Sequence, residues 1–161
     1  MADETVAVEH PNRRRAASKA TRLLVIVLLL ASAAVVAIIS IGGWSTLEGA
    51  KPIQVAFILV YLVFAIFVAR WSRGVLPMIA GLAIILGIFA AIAAPGWFDR
   101  AKTGFTDPAL SSDLLGLLCA LLVPLQLALI VVAMHGFRQG WNVEVERTRE
   151  SPRGDAEPAP A

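Results

Sequence analysis

Residues Leu23–Gly43 read LLVIVLLLASAAVVAIISIGG, 21 positions without one charged side chain. At the rise of an α-helix this stretch reaches across roughly 30 Å, the hydrocarbon thickness of a bilayer. Three comparable uncharged runs follow: Pro52–Ala69, Gly74–Phe98 and Leu114–Met134. In water, four such runs would expose apolar patches larger than a soluble fold tolerates. In hydrocarbon, each run satisfies its own backbone hydrogen bonds as a helix. The predicted fold is therefore an all-α integral membrane protein, a four-helix up-down transmembrane bundle.

The rest of the chain fits around those runs. Of its 161 residues, 58% are hydrophobic and 16% charged, against about a quarter charged in an ordinary soluble domain. The expected organisation is a disordered basic flank over 1–22, a transmembrane domain over 23–134, and a tail over 135–161. The tail turns Pro-rich and is expected to be disordered from about residue 150. Basic residues set the orientation. Arg13, Arg14, Arg15, Lys19, Arg22, Arg70, Arg73, Arg138, Arg147, Arg149 and Arg153 fall on one side, and Lys51, Arg100 and Lys102 on the other. Because cytoplasmic segments carry the Lys/Arg excess, both termini are expected in the cytoplasm of a multi-pass protein of the cell membrane. Arginine-rich, lysine-poor usage points to a bacterial plasma membrane. Ala31-Ser32-Ala33 resembles a signal-peptide cleavage site, but the apolar run continues past it, and the segment is read as a retained helix.

Each tryptophan stands at or soon after the end of a run: Trp44, Trp71, Trp97 and Trp141. Indole rings favour the headgroup level, so all four are expected to be interface anchors. Ser45-Thr46-Leu47-Glu48 has the spacing of a capping box, and Pro52 suits the first turn of the second helix. Asp107-Pro108 predicts the start of a short interfacial helix.

The chemistry is defined mostly by what is missing. No Asp, Glu, Lys, Arg or His lies within any run, whereas ion paths and proton relays in membranes ordinarily need one. His10 and His135 have no second ligand at metal or haem spacing, and the lone Cys119 has no C-x-x-C partner. No nucleophile–base–orienter set is present. The expectation is a non-enzyme without metal, cofactor or nucleic-acid partner.

Three polar residues fall near the middle of their runs: Ser32, Tyr61 and Gln126. A midplane glutamine must find a hydrogen-bond partner or bear a desolvation cost, so these three form a candidate midplane polar cluster. Its ordinary role is interhelical glue. Its sharper role is a pocket for a quinone, a lipid headgroup fragment or another neutral molecule. Pro124 is a candidate helix kink. Small residues recur at i+4 spacing on the third run (Ala83, Gly87, Ala91) and, with Pro124 in the row, on the fourth (Gly116, Ala120, Pro124, Ala128), as helix-packing positions do. The second helix carries bulky Phe57, Tyr61, Phe64 and Trp71, and is expected to pack against the third along the small row.

The leading functional expectation is an accessory, assembly or scaffolding component that acts through helix–helix contacts in the lipid bilayer, with a membrane-protein partner or as a homo-oligomer. The alternative is a small oligomeric transporter or binding protein for a neutral or lipid-like molecule.

Overall fold

A computed structural model describes residues 6–9, 11–47, 49–100, 108–142 and 144–148. Four long helices dominate it: α2 (Ala16–Gly42), α3 (Lys51–Ala69), α4 (Leu76–Arg100) and α5 (Ser112–Arg138). A short helix, α1 (Pro11–Arg14), precedes them, and a 3-10 turn at Arg73–Val75 leads into α4. Strand β1 (Val6–Glu9) pairs antiparallel with β2 (Val145–Thr148), tying the two ends of the chain together. All four long helices are long and apolar enough to cross a membrane.

The helices outrun the apolar segments that predict them. Residues 11–22, expected to be disordered, are largely helical, and α2 starts at Ala16. The reason is local and tertiary together. Ala, Lys and Arg are strong helix formers, and the arginines of this flank find carbonyl acceptors on other elements. Likewise α5 runs past Met134 to Arg138. The short helix expected from Asp107-Pro108 does not form over the described part of that segment. Asp107 lies outside the described residues, Pro108–Leu110 is non-helical, and Ser111 is the N-cap, its hydroxyl accepting from Leu114 N at 3.4 Å. Leu110 N donates instead to Gly42 O at 3.2 Å, pinning this segment to the end of α2. Glu48 of the capping-box sequence, His10 and residues 149–161 also lie outside the described residues.

Burial along each helix follows alternating steps of three and four. On α5 the seam is Ser112, Leu115, Cys119, Leu122, Gln126, Leu129, Ala133 and Gly136. On α3 it is Phe57, Tyr61, Phe64 and Val68. A repeat averaging 3.5 residues keeps one face on a neighbour and is the pattern of left-handed helix packing. Large apolar side chains outside the seams remain exposed on all four helices, among them Leu30, Leu59, Ile92 and Leu117. A surface of that kind suits hydrocarbon rather than water.

The pairing of helices differs from the expectation. Helix α4 packs most extensively on α5, and α2 packs on both α3 and α5, while α3 and α4 barely meet. The bulky row of α3 thus faces α2, not the small row of α4. The short connection between α3 and α4 made them sequence neighbours, but the small residues of α4 instead admit α5. A Cβ at Gly87 would lie 3.5 Å from Gln126 Cβ. Between α3 and α4, Phe57 and Phe89 form an edge-to-face pair with centroids 6.2 Å apart.

The end of the bundle nearest the chain termini is sealed by arginines on helix C-termini. Arg22 donates to Val68 O at 3.3 Å and to Ala69 O, and its guanidinium lies 4.5 Å from the Trp71 ring centroid. Arg73 donates to Phe137 O at 2.7 Å and stacks on Phe137. A cation at a helix C-terminus meets unpaired carbonyls and the negative end of the dipole. Helix α3 itself closes in a Schellman motif, with Ser72 N bonded to Phe67 O and Trp71 N to Val68 O, both at 3.0 Å. Trp71 occupies the left-handed position (φ 63°) that usually belongs to glycine. That backbone costs about 1–2 kcal/mol for an L-residue. It is offset where the indole meets Trp141 edge-on, with centroids 5.5 Å apart, and Arg22 on its face.

Candidate functional site

The structure brings Ser32, Tyr61 and Gln126 together, one from each of α2, α3 and α5. The Tyr61 hydroxyl donates to Gln126 Oε1 at 2.8 Å. Gln126 Nε2 donates to Ser32 Oγ at 3.0 Å. The Ser32 hydroxyl donates back to Leu28 O, four residues earlier on its own helix, at 2.8 Å. All three side chains are buried, Ser32 fully. The donors point one way along the chain, from tyrosine to a backbone carbonyl, an arrangement in which each bond polarises the next. Helix α4 joins by packing, because Gly87 leaves room for the Gln126 stem.

The tryptophans do not share one role. Trp44 is 49% exposed, with the Lys51 ammonium 4.9 Å from its ring centroid. Trp71 is half-buried. Trp97 and Trp141 are 6% and 0% exposed and belong to the core. Trp141 packs on Trp71, and its Nε1 donates to Gln139 Oε1 at 2.9 Å, while Gln139 Nε2 donates to Thr21 Oγ1. Trp97 lies over the end of α2, where a Cβ on Gly43 would come within 2.8 Å of the indole. In both, the indole fills space between helix ends, a use that sequence position alone does not distinguish from anchoring.

The small rows also divide. Ala83 and Gly116 are buried and Gly87 half-buried, but Ala91, Ala120, Pro124 and Ala128 are exposed. A strict i+4 row advances about 40° per step around a helix of 3.6 residues per turn. It therefore drifts off a seam that keeps a mean step of 3.5. Helix α5 is assigned as one continuous helix through Pro124, and α4 as one through Pro95.

A second polar pair was not singled out from the sequence. Ser40, near the end of α2, has its Oγ 2.7 Å from Val36 O and 2.5 Å from Gln54 Oε1, and its single hydroxyl proton serves one of these acceptors at a time. Gln54 stands in the first turns of α3, and among the described residues its Nε2 makes no hydrogen bond. It lines a cavity of about 270 Å³ between α2, α3, α4 and α5 at the end of the bundle away from the termini. The walls are otherwise apolar and aromatic, including Ile39, Phe57, Phe89, Trp97 and Cys119. The cavity borders the loosely packed α3/α4 gap, where Phe57 and Phe89 are among its lining residues. The signal for it was a serine and a glutamine placed near the facing ends of consecutive runs, where proximity to water made them unremarkable.

Among the described residues no group of His, Cys, Asp and Glu side chains is placed to hold a metal ion. No protein-family model matches the chain, no curated protein matches it, and no solved structure matches it.

Proposed function

We propose that the chain spans a membrane as an up-down bundle with both termini in the cytoplasm, and works there as a non-enzymatic accessory or scaffolding component that receives a helix of another subunit. The observation that carries this reading is the exposed row of Ala120, Pro124 and Ala128 on α5. The row adjoins a groove of about 280 Å³ between α4 and α5, floored by Gly87 and Gln126. Small side chains let a partner backbone approach and gain the dispersion contacts that drive helix association in lipid. Pro124 has no N–H, so the Ala120 carbonyl lacks its helical donor and is open to a hydroxyl or amide of that partner. The midplane polar groups support the same reading. Ser32, Tyr61 and Gln126 bond one another, which is the behaviour of interhelical glue rather than of a transport path.

The test is a double substitution, Ala120→Leu with Ala128→Leu, followed by cross-linking in intact membranes and purification in mild detergent. The native chain is expected to give a stoichiometric hetero- or homo-oligomer. The double variant is expected to unfold at the native temperature yet run as a monomer. A native chain that is monomeric and partnerless in the membrane would refute the proposal, as would a variant that keeps its partner.

A further inference from the structure

We infer that the cavity beside Gln54 is a binding site for the ring of a membrane quinone, a flat, neutral group whose carbonyl oxygen accepts a hydrogen bond from the Gln54 amide. The inference rests on the membrane-spanning part of the function proposed above, because its ligand enters from the bilayer, but it does not depend on a partner subunit.

Four observations converge on this ligand class. The first is size. An apolar cavity of about 150 Å³ holds a benzene ring, and this one, at about 270 Å³, has room for a substituted six-membered ring. The second is wall chemistry. Phe57, Phe89 and Trp97 line it, and aromatic walls favour offset or edge-to-face contact with another flat ring. The third is polarity. Among the described residues, no charged side chain lines the cavity. A charged ligand would meet uncompensated desolvation, whereas a neutral ring oxygen needs a single donor. Gln54 supplies it: its Oε1 lies 2.5 Å from Ser40 Oγ, and its Nε2 has no protein partner among the described residues. The fourth is access. The α3/α4 interface is the one left nearly unpacked between chain-adjacent helices. Ile53, Phe89 and Ala93 are exposed along it. A lipophilic tail can therefore stay in the bilayer while the ring sits inside. Cys119 lies against the same space and is the only thiol of the chain.

The experiment uses the full chain in lipid nanodiscs and, as probe, a fully substituted benzoquinone with a short alkyl tail, whose ring has no free position for thiol addition. Incorporation into the discs is measured first. Two readouts follow: the midpoint of thermal unfolding against probe concentration, and the rate of Cys119 alkylation by N-ethylmaleimide, counted by intact mass. The control ligand is an alkylbenzene of the same tail without ring oxygens. The quinone is expected to raise the midpoint saturably and to slow alkylation, and the alkylbenzene to do neither at the same concentration. Gln54→Leu should weaken quinone binding by about tenfold, the worth of one hydrogen bond at the upper end of its range. Ala93→Phe, which narrows the cavity from its exposed side, should abolish binding; both variants should unfold near the native midpoint without ligand. Equal effects from quinone and alkylbenzene, or equal quinone affinity in Gln54→Leu, would overturn the assignment. A chain that inserts but shows no saturable effect overturns this inference alone. A chain that never inserts removes the membrane-spanning reading and this inference with it.

Discussion

Replacing Gln126 by leucine removes the hub of the polar chain while keeping its bulk. Two side-chain hydrogen bonds disappear, from Tyr61 at 2.8 Å and to Ser32 at 3.0 Å. Interhelical hydrogen bonds in bilayers average about 0.6 kcal/mol and reach about 1.7, so the pair contributes about 1–3 kcal/mol. The two losses are unequal. Ser32 keeps its bond to Leu28 O, but the buried Tyr61 hydroxyl loses its acceptor, and an unsatisfied buried hydroxyl costs more than the bond was worth. Tyr61→Phe should therefore partly rescue Gln126→Leu, because removing both partners leaves nothing unpaired. In a double-mutant cycle the pair should cost less than the sum of the single changes by about 0.6–1.7 kcal/mol. The assay is reversible unfolding in mixed micelles or bicelles for the native chain, each single variant and the double variant. Additive single effects within about 0.3 kcal/mol would show that the Tyr61–Gln126 contact does not hold α3 to α5, and would refute the reasoning.

Glycine positions offer a matched contrast. Gly81→Ala meets nothing within 4 Å, and should stabilise the fold by up to about 1 kcal/mol through helix propensity. Gly43→Ala would press on the buried Trp97 indole at 2.8 Å and should destabilise by about 1–3 kcal/mol, as overpacking does; thermal unfolding of both variants checks the pair. Trp71→Gly relieves the left-handed backbone but loses the Trp141 edge contact and the Arg22 stack. A net loss of about 1–3 kcal/mol is expected from those two contacts less the relieved strain, and a stabilised variant would show that the strain outweighs the contacts. Arg22→Lys should lower stability too, because an ammonium cannot reach both Val68 O and Ala69 O while lying flat on Trp71. Recovery of the native unfolding midpoint in that variant would argue against the capping role.

What the sequence made legible is what varies along a single axis. Charge-free length marks the four long helices, and position within each run puts Ser32, Tyr61 and Gln126 at a common depth, where the structure joins them. Position around the axis is harder to read. A row such as Gly116, Ala120 and Ala128 looks like one face when steps of four are counted. The packed seam steps by 3.5, so only Gly116 stays in it, and the others turn outward. Which helices become neighbours was unreadable for a related reason. The tight turn at Arg70–Gly74 keeps the ends of α3 and α4 close without forcing their lengths together, and the small face of α4 is taken by α5. The burial of the Trp97 and Trp141 indoles was unreadable because depth suits an interface anchor and a plug between helix ends equally well. Gln54 escaped notice since a polar residue near the end of a run raises no conflict with its solvent. Its importance lies in the cavity, which exists only once four helices are assembled.

The membrane-crossing arrangement is the premise beneath the rest, and cysteine labelling in intact cells tests it most directly. In a Cys119→Ala background, single cysteines at Ser45 and Ser72 probe opposite ends of the bundle with a membrane-impermeant thiol reagent. The account predicts labelling at Ser45→Cys in intact cells, and at Ser72→Cys only after permeabilisation. Labelling of Ser72→Cys from outside, or of both positions from the same side, would contradict it.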